Sequence, residues 1–173
     1  TIPLNISATD NAGLSISYRT SVNIDNEAPS INITGLANGA SLFGSMENSV
    51  SGTATDSTIG IGVEKIYYGL SKDINTEPAS TGYNEIQSFT GTTSWTINWK
   101  EEKGSTPVNI DNSGLYNDYK LNYYLDSLYG SGTSENDDTK LLYLWLKVED
   151  KLGNCSKPIV YALNVIPQGD KPS

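Results

Sequence analysis

The residues of this chain that could do chemistry are mostly carboxylates, because it has 20 Asp and Glu and no histidine. Without histidine, both the usual general base of hydrolases and the commonest zinc ligand are missing. The sequence also has no glycine-rich phosphate loop and no Cys-x-x-Cys pair. Two carboxylates can hydrolyse a glycosidic bond, but nothing in the pattern singles out a pair. We therefore expect a protein that is not an enzyme.

The net charge of −9 also restricts the partners. Nucleic acids bind largely through Lys and Arg that neutralise phosphates, so we expect no nucleic-acid partner and no anionic membrane surface. The sequence has no long apolar run, so we expect no direct membrane insertion. Cys155 is the only cysteine, which excludes an internal disulfide. The composition suits a soluble extracellular protein and allows binding of divalent cations.

Aromatic residues are the other candidates for ligand contact. Trp95 and Trp99 share one face of a predicted strand at 94–99, together with Ile97. This face either fills the core or forms an exposed platform for sugar rings, and the alternation fits both.

A segment at 101–140 departs from the strand pattern. Leu121, Tyr124, Leu125 and Leu128 have helical spacing, which predicts one helix at about 117–129 that packs on the sheets. Five of the eleven tyrosines lie in this insertion. Tyrosine buries area at low entropic cost and keeps a hydroxyl group. The tyrosines either wedge the helix onto the sheets or contact a partner, and our candidates for such a contact are Tyr116, Tyr119 and Tyr123.

These candidates lie in a chain that repeats itself. The sequence LNISATDNAGLS at 4–15 resembles LWLKVEDKLGNCS at 144–156. Apolar residues alternate before each turn (Leu4, Ile6, Ala8; Leu144, Leu146, Val148). Each copy then has Asp-x-x-Gly, a turn in which Asp accepts local hydrogen bonds and Gly takes a positive φ. A strand and a proline-containing linker follow in both copies, about 140 residues apart, as in tandem domains.

The repeated segments resemble bacterial immunoglobulin-like repeats, which occur in strings on large cell-surface and secreted proteins. The resemblance covers Leu4–Ile33, Val50–Asp56 and Leu141–Val165, somewhat under half of the chain. It implies an all-β immunoglobulin-like sandwich of about seven strands, with one inserted helix. The domains would be 1–28, the last two strands of a preceding repeat; 29–167, a complete domain; and 168–173, a linker to the next repeat.

Within the complete domain, the sequence predicts a loop at 36–44 and seven strands. The strands are expected at 30–34, 49–56, 63–70, 84–89, 94–99, 144–148 and 160–165. The hairpin at 1–28 cannot bury both of its faces, so we expect it to dock on the complete domain or to pair with a neighbouring molecule.

The linker that begins at Asp25 is similar to the calcium-binding linkers of cadherins. Hard cations need several oxygen ligands, and a linker can gather them from two domains. The resemblance implies a structural Ca²⁺ held by Asp25, Asn26 and Glu27 together with Asp10. The same residues also fit a stiff turn without a metal.

These observations predict a non-catalytic extracellular repeat that acts as a spacer or presenter in a bacterial cell-surface or adhesin-type protein. Its partners would be neighbouring repeats of the same chain and, through the tyrosine-rich insertion, a host protein or glycan. The alternative is a glycan-binding or accessory module of a secreted hydrolytic enzyme.

Overall fold

Short strands with one apolar face build most of the chain, because residues two apart point to the same side of a strand. The computed structural model describes residues 2–22, 24–43, 49–57, 60–86, 94–98, 120–133 and 138–166. The elements are β1 (Ile2–Thr9), β2 (Ser15–Val22), β3 (Ser30–Thr34), β4 (Ala40–Phe43), β5 (Ser49–Thr55), β6 (Val63–Ser71), a 3₁₀ turn (Ser80–Gly82), β7 (Asn84–Glu85), β8 (Ser94–Asn98), α1 (Lys120–Tyr129), β9 (Lys140–Asp150) and β10 (Ile159–Ile166).

Strands β3 to β10 form a two-layered sandwich. One sheet has the order β4-β10-β9-β6-β7 and the other has the order β3-β5-β8. All the pairs are antiparallel except β4 with β10. The last two strands pair with each other, and β9 also pairs with β6, while β3, β5 and β8 form the opposite layer. This is the strand arrangement of the immunoglobulin fold, and the predicted all-β sandwich is confirmed.

The core lies between the two sheets. Every second residue of β9 from Leu142 to Val148 is completely buried, as are Leu163 and Val165 of β10. The opposite sheet contributes Trp95, which is only 1% exposed. The predicted alternation therefore places the apolar residues of β9 in the core.

Gly52 makes room for the Trp95 ring. The two residues are cross-strand partners in β5 and β8. A methyl group at Gly52 would lie 2.5 Å from a ring carbon of Trp95 and would also clash with the carbonyl oxygen of Asn32. A glycine is required here by the close approach of the Asn32 carbonyl oxygen and of the Trp95 ring, not by a positive φ.

Helix α1 completes the same core. Leu121 and Leu125 are almost fully buried in it, and Tyr124 and Leu128 pack at its edge. The Tyr129 hydroxyl also donates to the carbonyl oxygen of Leu141 at 2.5 Å. The predicted helix is confirmed at 120–129, while 117–119 lie outside the described residues.

The hairpin β1–β2 forms a sheet of its own. Its residues are exposed on both faces, although six large apolar side chains share one of them: Ile2, Leu4, Ile6, Ile16, Tyr18 and Val22. Among the described residues, neither strand pairs with the sandwich. The expectation that the hairpin docks on the complete domain is therefore wrong for this structure, and pairing with a neighbouring molecule remains a prediction.

One other prediction needs correction, and a second is described only in part. Residues 40–43, expected in a loop, form β4 and place Leu42 opposite Val165 of β10. Of the expected strand at 84–89, the structure describes 84–86: Asn84–Glu85 form β7, and Ile86 donates its backbone N–H to the carbonyl oxygen of Ile66. Residues 87–93 and 167–173, including the predicted linker at 168–173, lie outside the described residues. Within the described parts, no helix has the length and apolar character needed to cross a membrane.

Candidate cation site at the linker junction

The turn after β9 is held by one aspartate. Asp150 Oδ1 accepts the backbone N–H groups of Leu152 (2.7 Å) and Asn154 (2.9 Å). Its carbonyl oxygen accepts the N–H of Gly153 at 3.1 Å, and Gly153 has a φ of 86°. Such a φ is strained for other residues, which explains the glycine in the motif.

The turn of the hairpin repeats this geometry. Asp10 Oδ1 accepts the N–H groups of Ala12 (2.8 Å) and Leu14 (2.9 Å), and the Asp10 carbonyl accepts the N–H of Gly13 at 3.0 Å. Gly13 has a φ of 84°. The repeated sequence thus forms the same hydrogen-bonded turn twice.

The linker before β3 reaches the turn of the sandwich through Asp25. The Asp25 carboxylate accepts the N–H of Glu27 (3.1 Å) and the N–H of Ile61 (3.3 Å). Its carbonyl oxygen accepts the side-chain amide of Asn154 at 3.2 Å. These bonds join the linker to two different loops of the sandwich.

A third aspartate lies at the end of β5. The Asp56 carboxylate accepts the N–H groups of Ser57 (2.8 Å) and Gly62 (2.7 Å). A side chain at Gly60 would collide with this carboxylate. The glycine therefore leaves the space in which the loop folds around Asp56.

Asp25, Asp56 and Asp150 meet at one point, which we call the junction cluster. One carboxylate oxygen from each residue lies within 4.8 Å of the other two. Asp150 is 1% exposed, and the other two are half-buried. In the described part of the chain, none of the three forms an ion pair. Several oxygens at this spacing can bind a hard cation such as Ca²⁺.

The protonation of Asp150 is set by opposing effects. Burial acts to raise its pKa, but the hydrogen bonds from Asn154, Leu152 and Gly153 outweigh burial, so the pKa lies below its ordinary value. Asp150 is therefore a carboxylate at neutral pH, in the state that a cation requires.

The structure brings together only part of the predicted calcium ligands. Asp25 belongs to the cluster, whereas Asn26 and Glu27 are exposed beside it, and only the backbone N–H of Glu27 contacts Asp25. Asp10 is far away, since the eight-residue strands place its turn about 25 Å from the linker end of the hairpin. Asp10 occupies the same position in its turn as Asp150 does in the sandwich. The repeat could therefore have identified Asp150 as the partner of Asp25.

Among the aromatic residues predicted to contact a ligand, the structure describes the side chain of Trp95 alone. Trp95 is buried beneath Gly52, so it cannot form a surface platform for a sugar ring. Trp99, Tyr116 and Tyr119 lie outside the described residues. Tyr123 is on α1, but its side chain is also outside the described part.

A scan of the chain against protein-family models gave no match, and a search against curated proteins gave none.

Proposed function

We propose that this chain is a non-catalytic, extracellular segment of tandem immunoglobulin-like repeats, which spaces or presents neighbouring modules at a bacterial cell surface. The observation that carries this proposal is the repeated Asp-x-x-Gly hairpin. It occurs once inside a complete sandwich and once before it, with the same backbone hydrogen bonds.

In this proposal, the hairpin at 1–28 is the end of a preceding repeat. Ile6 corresponds to Leu146, four residues before the turn aspartate in each copy. Leu146 is completely buried under the second sheet, whereas Ile6 is 55% exposed. The same apolar pattern therefore has a covering sheet in the complete domain, and a preceding repeat would supply the equivalent sheet for the hairpin.

A spacer needs a junction that does not bend freely, and the linker has several fixed contacts. Asp25 is bonded to the loops that contain Ile61 and Asn154, and Pro29 is buried where the linker enters β3. Proline restricts φ and so stiffens the chain further. These contacts support a role in which the domain keeps neighbouring modules at a fixed distance and orientation.

The cofactor that we propose for this junction is a structural Ca²⁺. Three carboxylates at close range repel one another, and a divalent cation would convert this repulsion into attraction. Asp25 comes from the linker, while Asp56 and Asp150 come from the sandwich, so a bound cation would fasten one to the other.

Thermal melting in EDTA and in millimolar Ca²⁺ tests the cofactor. Calcium at about 100 times its dissociation constant would stabilise the folded chain by about 2.7 kcal/mol. Asp56→Asn should reduce this gain, and Asp10→Asn, outside the cluster, should leave it unchanged. A wild-type melt that is the same in both buffers would exclude Ca²⁺ and leave a metal-free turn.

We also propose that the tyrosine-rich insertion supplies any contact with a host protein or glycan. Leu121 and Leu125 of α1 are core residues, so removal of the insertion would also damage the fold. A screen on immobilised glycans and matrix proteins is better done with the full chain and a Tyr116→Ser, Tyr119→Ser, Tyr123→Ser variant.

The matched control in this screen is Tyr18→Ser, which changes a tyrosine that is 65% exposed on the hairpin. Binding that only the triple variant loses would support contact through the insertion. Binding that survives the triple variant would place the contact elsewhere. A folded chain that binds nothing would leave the spacer role alone. The glycan-module alternative is weakened because Trp95, one of its two tryptophans, is buried.

A further inference from the structure

The two repeated turns differ at the residue that follows the glycine. This residue is Asn154 in the sandwich and Leu14 in the hairpin. Both donate their backbone N–H to the turn aspartate at 2.9 Å. The turn therefore forms with either side chain, and its geometry does not explain the asparagine.

The side-chain amide of Asn154 contacts two separate segments. Its Nδ2 donates to Asp150 Oδ2 at 2.7 Å and to the carbonyl oxygen of Asp25 at 3.2 Å. An amide nitrogen carries two hydrogens, so both bonds can exist together. One side chain thus joins the turn after β9 to a linker residue that lies 129 positions earlier.

We propose that Asn154 is the positioning residue that holds the linker against the sandwich. The inference rests on the proposed function, because it assigns the attachment of the linker to one side chain. The amide is well suited to this place. It is neutral, and its donors face acceptors at a point where three carboxylates meet. A leucine at the same position, as in the hairpin turn, can make neither bond.

The test uses Asn154→Leu in the full chain, in EDTA, with amide hydrogen exchange followed by NMR. The reporter is the N–H of Ile61, because its acceptor is the Asp25 carboxylate. The N–H of Gly62 is the internal reference, because its acceptor is Asp56, which does not belong to the linker. We expect Ile61 to exchange about fivefold faster in the variant, the factor that one net hydrogen bond is typically worth, while Gly62 is unchanged.

Asn164→Leu is the matched control, since it removes a side-chain amide that donates to the carbonyl oxygen of Gly39, a different part of the sandwich. This control should leave Ile61 as in the wild type. Equal acceleration of Ile61 and Gly62 in Asn154→Leu would show that the loops themselves had changed and would overturn the inference. Protection of Ile61 that persists in Asn154→Leu would overturn the role of Asn154 and leave the proposed function intact. A backbone N–H of Ile61 that is unprotected from exchange in the wild type would show that the linker is not docked. This result would contradict both the role of Asn154 and the proposed function.

Discussion

The turn after β9 depends on Asp150. Its carboxylate is buried and accepts three hydrogen bonds, two from backbone N–H groups and one from the side chain of Asn154. Hydrogen bonds to an ionised acceptor are stronger than those between neutral groups. Removal of the charge should therefore loosen the turn and, with it, the place where Asp25 docks.

Asp150→Asn should lower the melting temperature by several degrees at neutral pH in EDTA, because the neutral amide accepts fewer and weaker bonds. The pKa of Asp150 is lowered in the folded state. Its contribution to stability is therefore present above the unfolded pKa, near 3.8, and is lost as the pH falls through the folded pKa. The difference between wild type and variant should accordingly shrink below about pH 4, as measured by melts across this range.

Asp10→Asn provides the comparison, since Asp10 accepts the same two backbone bonds in an exposed turn. The Asp10→Asn change should leave the melting temperature of the sandwich nearly the same. If the difference in melting temperature between wild type and Asp150→Asn stays constant down to pH 2, the role given to the Asp150 charge is contradicted.

For individual residues, the sequence predicted the two Asp-x-x-Gly turns, but it predicted only one member of the junction cluster, Asp25. The contacts of Asp-x-x-Gly are local, so the motif is enough to predict them. Asp56 lies 31 positions from Asp25, and Asp150 lies 125 positions from it. Only the packing of the sandwich brings these residues together, and no local pattern encodes that packing.

Among the elements, α1 shows how a period in the sequence determines packing. Its spacing of apolar residues predicted the buried face, which supplies Leu121 and Leu125 to the core. In contrast, β4 was not predicted, because a four-residue strand after Gly39 has little pattern of its own. It exists through its parallel pairing with β10, which is a long-range contact.

Leu125→Ala tests whether the helix belongs to the core. Leu125 is completely buried, and truncation of a buried leucine to alanine typically costs about 2–5 kcal/mol. The free energy of unfolding in urea should fall by this amount. Ser127→Ala, at an exposed position of the same helix, should be nearly neutral. Equal small effects of both changes would mean that the helix is not packed on the sandwich.

The hairpins β1–β2 and β9–β10 permit a second comparison, between equivalent residues with different burial. Leu146→Ala should cost about 2–5 kcal/mol in urea unfolding of the full chain. Ile6→Ala should cost less than about 0.5 kcal/mol, because Ile6 is exposed on an uncovered sheet. A cost for Ile6→Ala that matches Leu146→Ala would mean that the apolar face of β1–β2 is covered in solution.

On the scale of the whole molecule, the linker before β3 is fastened to the sandwich, and in the proposed spacer it limits rotation between the hairpin and the sandwich. The N–H of Ile61 and the side-chain amide of Asn154 donate to Asp25, and Pro29 is buried. The all-β architecture was predictable, since alternation and turn motifs recur through the chain. The exposed state of the hairpin was not, because its sequence is that of a half-buried strand pair and does not show whether a second sheet covers it.

The most direct test is backbone ¹⁵N relaxation of residues 24–28 in the full chain, with β5 as the rigid reference. We expect order parameters of about 0.85 in the linker, the value of rigid backbone, close to those of β5. Values below about 0.6 across the linker, with β5 still rigid, would show that the linker moves freely and would contradict the proposed spacer.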